Sequence, residues 1–350
     1  MMIRKSGMIG YRIRFMSKKN NNHISYYKNK NILITGGVGY LGASIINALS
    51  HISCKITVLD IRDNVLKLVD GQVADILLKQ GDIKNKDVWL EYLKGIDIVF
   101  HFAAQTSSYI ANENPAKDLE INLLPAVSLI ETCYKNKLRP DIIFAGTVTE
   151  AGLTDILPVS EAFKDQPVTV YDINKLAAEK YIQYYSNQMG GRSVVLRLAN
   201  VYGPGPASSS ADRGILNLMI RKALKGEDLT IYGEGNFIRD YVYIDDVIKA
   251  FLIAGANMNG VKGNYYVIGS RIGHSIKYMV HAVKVEVGRR TGKEVKISHI
   301  QAPDNFSPIE SRNFIANTTV FTNITGWVAD VSLREGINMT IDFFLKEART

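Results

Sequence analysis

Tyr171 and Lys175 stand four residues apart in a stretch whose apolar spacing predicts a helix over 172–188, so their side chains share one face. A phenol is a poor base near neutrality, with an ordinary pKa of about 10. A neighbouring ammonium favours the phenolate, which makes such a pair a candidate general base. Spacing alone does not select it. Tyr26 and Lys30 repeat it in the basic amino-terminal segment, where no role is assigned. Position separates the two pairs, because Tyr171 follows the fifth predicted strand.

A second constellation lies in NILITGGVGYLG (31–42). Gly37, Gly39 and Gly42 satisfy G-x-G-x-x-G, and Gly36, Gly39 and Gly42 satisfy the wider G-x-x-G-x-x-G, with Tyr40 and Leu41 inside the run. Asn31 to Ile34 read as a buried strand that turns sharply into a helix. Glycines there let backbone amides approach a pyrophosphate, which sits at the positive end of the helix. Asp60 closes the next apolar run, KITVLD (55–60), where an acid accepts hydrogen bonds from an adenosine ribose. Its charge repels the extra phosphate of NADP, so NAD is the expected cofactor, with Arg62 the one opposing feature. The positive nicotinamide ring would add to the effect of Lys175 on Tyr171.

The elements that must position these residues are strands over 31–35, 55–60, 76–80, 97–102, 141–145 and 193–198. Helices are predicted over 43–50, 117–136 and 172–188. Continuously apolar strands alternating with amphipathic helices imply an α/β doubly wound parallel sheet, with ligands beyond the carboxyl ends of its strands. After Tyr202 the order loosens into a loop through Gly203–Pro206 and Ser208–Ser210. Short strands follow at 229–232 and 264–268, with a final helix near 333–347. The expected organisation is a disordered basic tail (1–30), a dinucleotide-binding domain (31–202) with returning segments near 239–256, and a mainly substrate-binding lobe (203–350).

The formal net charge of +8 invites a nucleic-acid reading. Residues 1–30 hold eight basic residues and no acid, which leaves 34 of each sign over 31–350. The body is electroneutral, so no nucleic-acid partner is expected. The tail reads as an extension, with a transit peptide as the alternative, and its deletion is expected to leave activity unchanged. No run approaches the roughly 20 apolar residues of a membrane span. Cys54 and Cys133 lack metal-like spacing, which points to a reducing cytoplasm without disulfides or structural zinc.

TGGVGYLG, Asp60, Gly81–Asp82–Ile83, HFAA (101–104), Asn122, Tyr171 with Lys175, LRLANVYGPG (196–205) and RDYVYIDDV (239–247) occur in the order of the extended short-chain dehydrogenases. Within them the chain resembles the nucleotide-sugar epimerase/dehydratase family over about residues 31–345. The resemblance implies that Asp82 and Ile83 border the adenine and that Ala103 and Ala104 line the cofactor cleft. His101 reads as a satisfied strand-end histidine. The family's third catalytic residue, a Ser or Thr after the fifth strand, falls on Thr147 in FAGTVTEAG (144–152), where Ala145, Gly146 and Ala151 replace the usual Ser, Ser and Tyr. The family's 4,6-dehydratases carry Thr-Asp-Glu here. This chain has Thr147, Val148 and Thr149, with Glu150 one place late, which favours C4 epimerisation unless a one-residue bulge brings Glu150 into place. A 4-keto-sugar reductase and a catalytically silent NAD-binding relative stay open.

For a nucleotide-sugar substrate, Arg239 and Arg312 resemble the family's phosphate-binding arginines, whose planar forks suit a diphosphate. Asn200 resembles the amide that contacts the sugar diphosphate, and Arg213 and Asn217 are candidates for the base or its phosphates. Asp245 and Asp246 read as helix caps, and Trp327 reads as core. The family pairs subunits through two helices each, which implies a homodimer through 117–136 and 172–188, with Leu124, Val127, Leu176 and Ala177 at the contact.

Overall fold

The computed structural model describes residues 21–62, 71–206 and 214–349. Its strands are β1 (Asn31–Thr35), β2 (Lys55–Asp60), β3 (Asp75–Gln80), β4 (Ile98–His101), β5 (Asp141–Thr147), β6 (Arg192–Leu198), β7 (Asn200–Tyr202), β8 (Leu229–Tyr232), β9 (Ile238–Tyr243), β10 (Tyr265–Ile268), β11 (Gly273–Ser275) and β12 (Ile297–Ile300). Seven form a parallel sheet in the order β10-β6-β5-β4-β1-β2-β3. The order reverses between β1 and β4, the switch point at whose carboxyl ends a doubly wound sheet forms its ligand crevice.

The strands are apolar throughout because both faces are covered. Ile32 and Ile34 of β1 enter one core while Leu33 enters the other, and Ile143 opposes Ile142 and Phe144 of β5 in the same way. The Tyr40–Leu49 and Ile244–Ala256 helices pack on the first face. The Lys86–Tyr92, Leu124–Lys135 and Val170–Asn187 helices pack on the second. The single helix expected over 117–136 is two, Pro115–Asn122 and Leu124–Lys135. Pro125 has no amide to donate to the preceding turn, so the second helix starts afresh.

Residues 21–30 are not the end of a disordered tail. A short helix, Asn21–Ser25, leads to Tyr27, which is fully buried between the sheet and the Ile244–Ala256 helix. Its hydroxyl donates to the Leu252 carbonyl at 2.8 Å, and its ring lies 6.1 Å from that of Phe100. Gly255 makes room for that hydroxyl, since a Cβ there would stand 2.2 Å from it. The partner is 225 residues away in sequence, and composition cannot reveal such a contact.

Beyond Tyr202, β7, β9 and β11 form a small sheet and β8 pairs with β12. Asp246 does not cap its own helix. Its carboxylate accepts the amides of Asp330 and Val331 at 3.1 and 3.0 Å and so fastens the carboxyl-terminal segment. Trp327 is buried beside it and donates to the Asp246 carbonyl. Cys54 and Cys133 are buried free thiols. Among the described residues no helix is long and apolar enough to cross a membrane, and no cluster of His, Cys, Asp and Glu could hold a metal.

Candidate active site

The glycine run builds a backbone cradle at the crevice. Gly36 takes φ +68°, and a Cβ there would lie 2.6 Å from the Ala103 nitrogen. At Gly42 a Cβ would stand 2.3 Å from the Gly36 oxygen, so neither position accepts a side chain. The helix opening at Tyr40 and Leu41 has Gly39 as its N-cap and no side-chain cap, which leaves first-turn amides for an anion. Asp60 is buried at the rim, accepting the Val38 amide at 3.0 Å and the Arg62 amide and Nε, each at 3.1 Å. A cradle that excludes Cβ atoms, with a carboxylate at its edge, fits NAD.

The loops around the cradle are fixed by polar contacts. Thr35 Oγ1 accepts the Ala103 amide at 3.3 Å and lies 2.7 Å from His101 Nδ1, with Ala104 following in the same loop. His101 stacks on Phe144, and burial with the nearby Lys175 charge pushes its pKa down to about 3. It is a neutral core histidine, as its strand-end position suggests. Ile83 is buried, with its carbonyl held by Trp89, while Asp82 accepts the Lys84 amide and keeps a half-exposed side chain.

Thr169 and Asp172 form a capping box that starts the Val170–Asn187 helix and sets Tyr171, which is buried, in its first turn. One turn on, Lys175 donates to the Ala145 carbonyl of β5 at 2.7 Å and stands 3.9 Å from the centre of the Phe144 ring. Burial lowers its pKa to about 8, opposed by Glu150, Glu179 and Asp118. Thr147 ends β5 and caps the 3-10 turn Val148–Ala151. Its hydroxyl lies 2.8 Å from that of Thr149, and its amide donates to Glu150 Oε1 at 3.2 Å. No bulge brings Glu150 into the crevice. It is fully buried, with Oε2 3.0 Å from Arg197 Nε.

The small lobe brings Arg239, Arg312 and Asn200 together. Arg239 is buried and donates to the carbonyls of Ile238, Glu310 and Arg312. Burial lowers its pKa, offset first by Glu310. Arg312 donates to the Ile309 carbonyl at 2.9 Å and to Asn200 Oδ1 at 3.4 Å. Arg213 lies outside the described residues. Asn217 differs from expectation, because its amide binds both the N–H and the carbonyl of Gly203 (3.1 and 2.9 Å). Tyr40 donates to that same carbonyl at 2.9 Å, so its hydroxyl ties the cofactor loop to the Gly203 loop.

Two buried networks were not anticipated from the sequence. Asp118 accepts Gln105, Asn122 and Asn174 at 2.7–2.8 Å and braces the residue next to Lys175. Arg197 gathers Glu150, Glu179 and Asp165. A charged residue inside the apolar run VVLRL was the available signal for the second.

The chain is 28% identical over 326 residues to a putative UDP-glucose 4-epimerase of Methanocaldococcus jannaschii, covering 91% of this chain and 100% of that protein. It is 27% identical over 345 residues to UDP-glucuronic acid decarboxylase 1 of Xenopus tropicalis, covering 96% and 75%. The crystal structure of a Thermotoga maritima UDP-glucose 4-epimerase with UDP-glucose matches with a TM-score of 0.81 at 27% identity, covering 91% and 99%. Residues 32–269, from β1 to the end of β10, match the sequence model of one family, and this chain is accordingly an NAD-dependent enzyme belonging to the NAD dependent epimerase/dehydratase family.

Proposed function

We propose that the protein is a nucleotide-sugar 4-epimerase that oxidises C4 of a hexose transiently. The observation that carries this reading is the turn after β5. Thr147 stands there beside the helix of Tyr171 and Lys175, while Glu150, the only acid in the turn, faces the core. Loss of water needs a proton donor at the leaving hydroxyl, and Val148 and Thr149 supply none. Similarity to proteins named as 4-epimerases supports the same reading.

NAD, when bound, supplies the carbon that takes hydride from C4 and returns it. The first-turn amides of Tyr40, Leu41 and Gly42 would hold its pyrophosphate, Gly36 and Gly39, whose own amides donate to the carbonyls of Leu59 and Gly36, would let it approach the backbone, and Asp60 would hold the adenosine ribose. Asp82 and Ile83 border the adenine, with Ala103 and Ala104 along the cleft. Tyr171 accepts the C4 hydroxyl proton and gives it back to the other face once the 4-keto sugar has turned over. The Lys175 ammonium holds the nicotinamide ribose and lowers the cost of the tyrosinate. Thr147 hydrogen-bonds the sugar oxygen. Arg239 and Arg312 neutralise the diphosphate, Asn200 contacts it, and Arg213 stays a candidate for the nucleotide.

Incubation with NAD and a panel of UDP-, dTDP-, CDP- and GDP-hexoses, read by NMR, tests the reading. A C4 epimer without net change in nicotinamide absorbance is expected. A 4-keto-6-deoxy product would mark a dehydratase, stoichiometric nicotinamide consumption a reductase, and tight NAD binding without turnover a silent relative.

The same reading includes a homodimer. Ile173, Tyr181 and Tyr184 of one helix and Leu119 and Leu124 of its neighbours expose apolar side chains on the outer face, with Val127, Leu176 and Ala177 partly buried among them. Light scattering at micromolar concentration should give twice the chain mass, and a monomeric mass overturns the pairing.

A further inference from the structure

Tyr40 opens the helix whose first turn faces the cofactor, yet its side chain serves another part of the molecule. Its hydroxyl donates to the Gly203 carbonyl at 2.9 Å, 163 positions on. Its ring fills the space beside Gly205, where a Cβ would stand 2.6 Å from Tyr40 Cε2. Gly203 takes φ +134° and Gly205 φ +146°, backbone that glycine alone adopts readily. Gly203 is also wedged against the end of β9, since its Cβ would lie 2.6 Å from Ile244 and 2.9 Å from Tyr243.

Gly203 is where the chain leaves β7. Asn217, near the start of the Ile215–Lys225 helix, accepts the Gly203 amide at 3.1 Å and donates to its carbonyl at 2.9 Å. That carbonyl therefore holds two donors, one from the cofactor helix and one from the small lobe. Among the described residues, β7 is a three-residue strand at the edge of its sheet, paired with β9 alone. Its start is tied to the large sheet, where the Ala199 amide donates to the Ile268 carbonyl at 2.9 Å. Its end is tied by Tyr40 and Asn217. Asn200 lies within this span, about 10 Å along the strand from Gly203. It pairs in register with Tyr241, two residues past Arg239 on β9, and its Oδ1 accepts from Arg312 at 3.4 Å.

We infer that Tyr40 is a positioning residue for the nucleotide-sugar site: its hydroxyl fastens the end of β7 to the cofactor helix and so holds Asn200, with Arg312 on it, in place for the diphosphate. The inference rests on the roles proposed above for Asn200, Arg239 and Arg312. Phenylalanine would fill the space beside Gly205 equally well, so packing does not account for the hydroxyl. The backbone of Tyr40 thus serves the cofactor, and its hydroxyl serves the strand that carries Asn200.

Tyr40→Phe keeps the ring and the backbone amide while removing the hydroxyl. In full-length, NAD-loaded protein, calorimetric titration with UDP, dTDP, CDP and GDP identifies the nucleotide that wild type binds most tightly. Tyr40→Phe should bind it about threefold to tenfold more weakly, the worth of one hydrogen bond. KM for the matching sugar nucleotide should rise by the same factor, while kcat and NAD content hold. Tyr202→Phe removes a neighbouring hydroxyl directed at the Ser332 and Leu333 carbonyls, and it should leave nucleotide affinity in place. Equal nucleotide affinities in wild type and Tyr40→Phe overturn the inference. A lowered unfolding temperature as the sole change overturns it too, because it marks the hydroxyl as structural only. Failure of wild type to bind any of the four nucleotides would instead defeat the nucleotide-sugar reading, and this inference with it.

Discussion

Two Tyr-x-x-x-Lys pairs lie at opposite ends of strand β5. At the carboxyl end, Tyr171 starts a long helix and Lys175 reaches the carbonyl of Ala145, two residues before Thr147. At the amino end, the Tyr26 hydroxyl donates to Asp141 at 3.4 Å, and Lys30 stands 5.5 Å from the Tyr26 ring. Burial, then the Asp141 carboxylate, raises the Tyr26 pKa, which disfavours its phenolate. Arg192 forks onto Asp141 at 2.6 and 2.9 Å and completes a structural clamp. The same four-residue spacing thus yields a candidate base where a buried ammonium follows one turn on, and a hydrogen-bond donor where a carboxylate faces the phenol. Chemistry follows the neighbours that the fold supplies.

The sharpest way to break this contrast is Tyr171→Phe, which should lower kcat by about 10²–10⁴ while NAD still binds. Tyr26→Phe should leave kcat within a factor of two. Equal effects in a nucleotide-sugar assay would remove the distinction and the epimerase mechanism with it.

At the amino end the expected consequence is stability. Tyr27→Ala should cost about 3–5 kcal/mol in denaturant unfolding, with turnover per folded molecule unchanged. Deletion of residues 1–30 should behave likewise, contrary to an inert tail. Wild-type unfolding midpoints in both would show that the Tyr27 contact contributes nothing.

The pH profile sharpens the contrast at the carboxyl end. Turnover should decline as pH rises through about 8, where Lys175 loses its proton. Stability has the opposite sign. Between about 8 and the ordinary 10.5 the unfolded chain holds a lysine proton that the native state has released, so this group's contribution to stability rises with pH. A flat turnover profile to pH 9.5 would contradict the assignment. The smallest effect is expected for Arg192→Ala. It removes a half-exposed partner of buried Asp141 and should cost about 1 kcal/mol by thermal unfolding, with kcat unchanged.

The cofactor end was legible in the sequence because its chemistry is local. Gly36, Gly39 and Gly42 need no distant partner to announce a cradle, and Asp60 follows at the end of the next strand. The helix that carries Tyr171 was legible through its place after the fifth strand. Asn217 was misread because an amide in a loop looks the same whether it faces a ligand or, as here, both polar groups of Gly203. Glu150 was legible only as an acid one place late. Its direction is set by Arg197, 47 positions on in the numbering, and by Glu179 on another element.

Apolar periodicity and glycine spacing by themselves determined the parallel sheet, the β1 turn and the Asp60 rim, because each is a property of a contiguous stretch of chain. Tertiary structure alone decided which charges are buried together. Arg197, Glu150, Glu179 and Asp165 come from a strand, a turn, a helix and a loop, and Tyr27 finds Leu252 across most of the chain. The energy of a buried charge depends on every neighbour that replaces water, and those neighbours are assembled only when the chain folds.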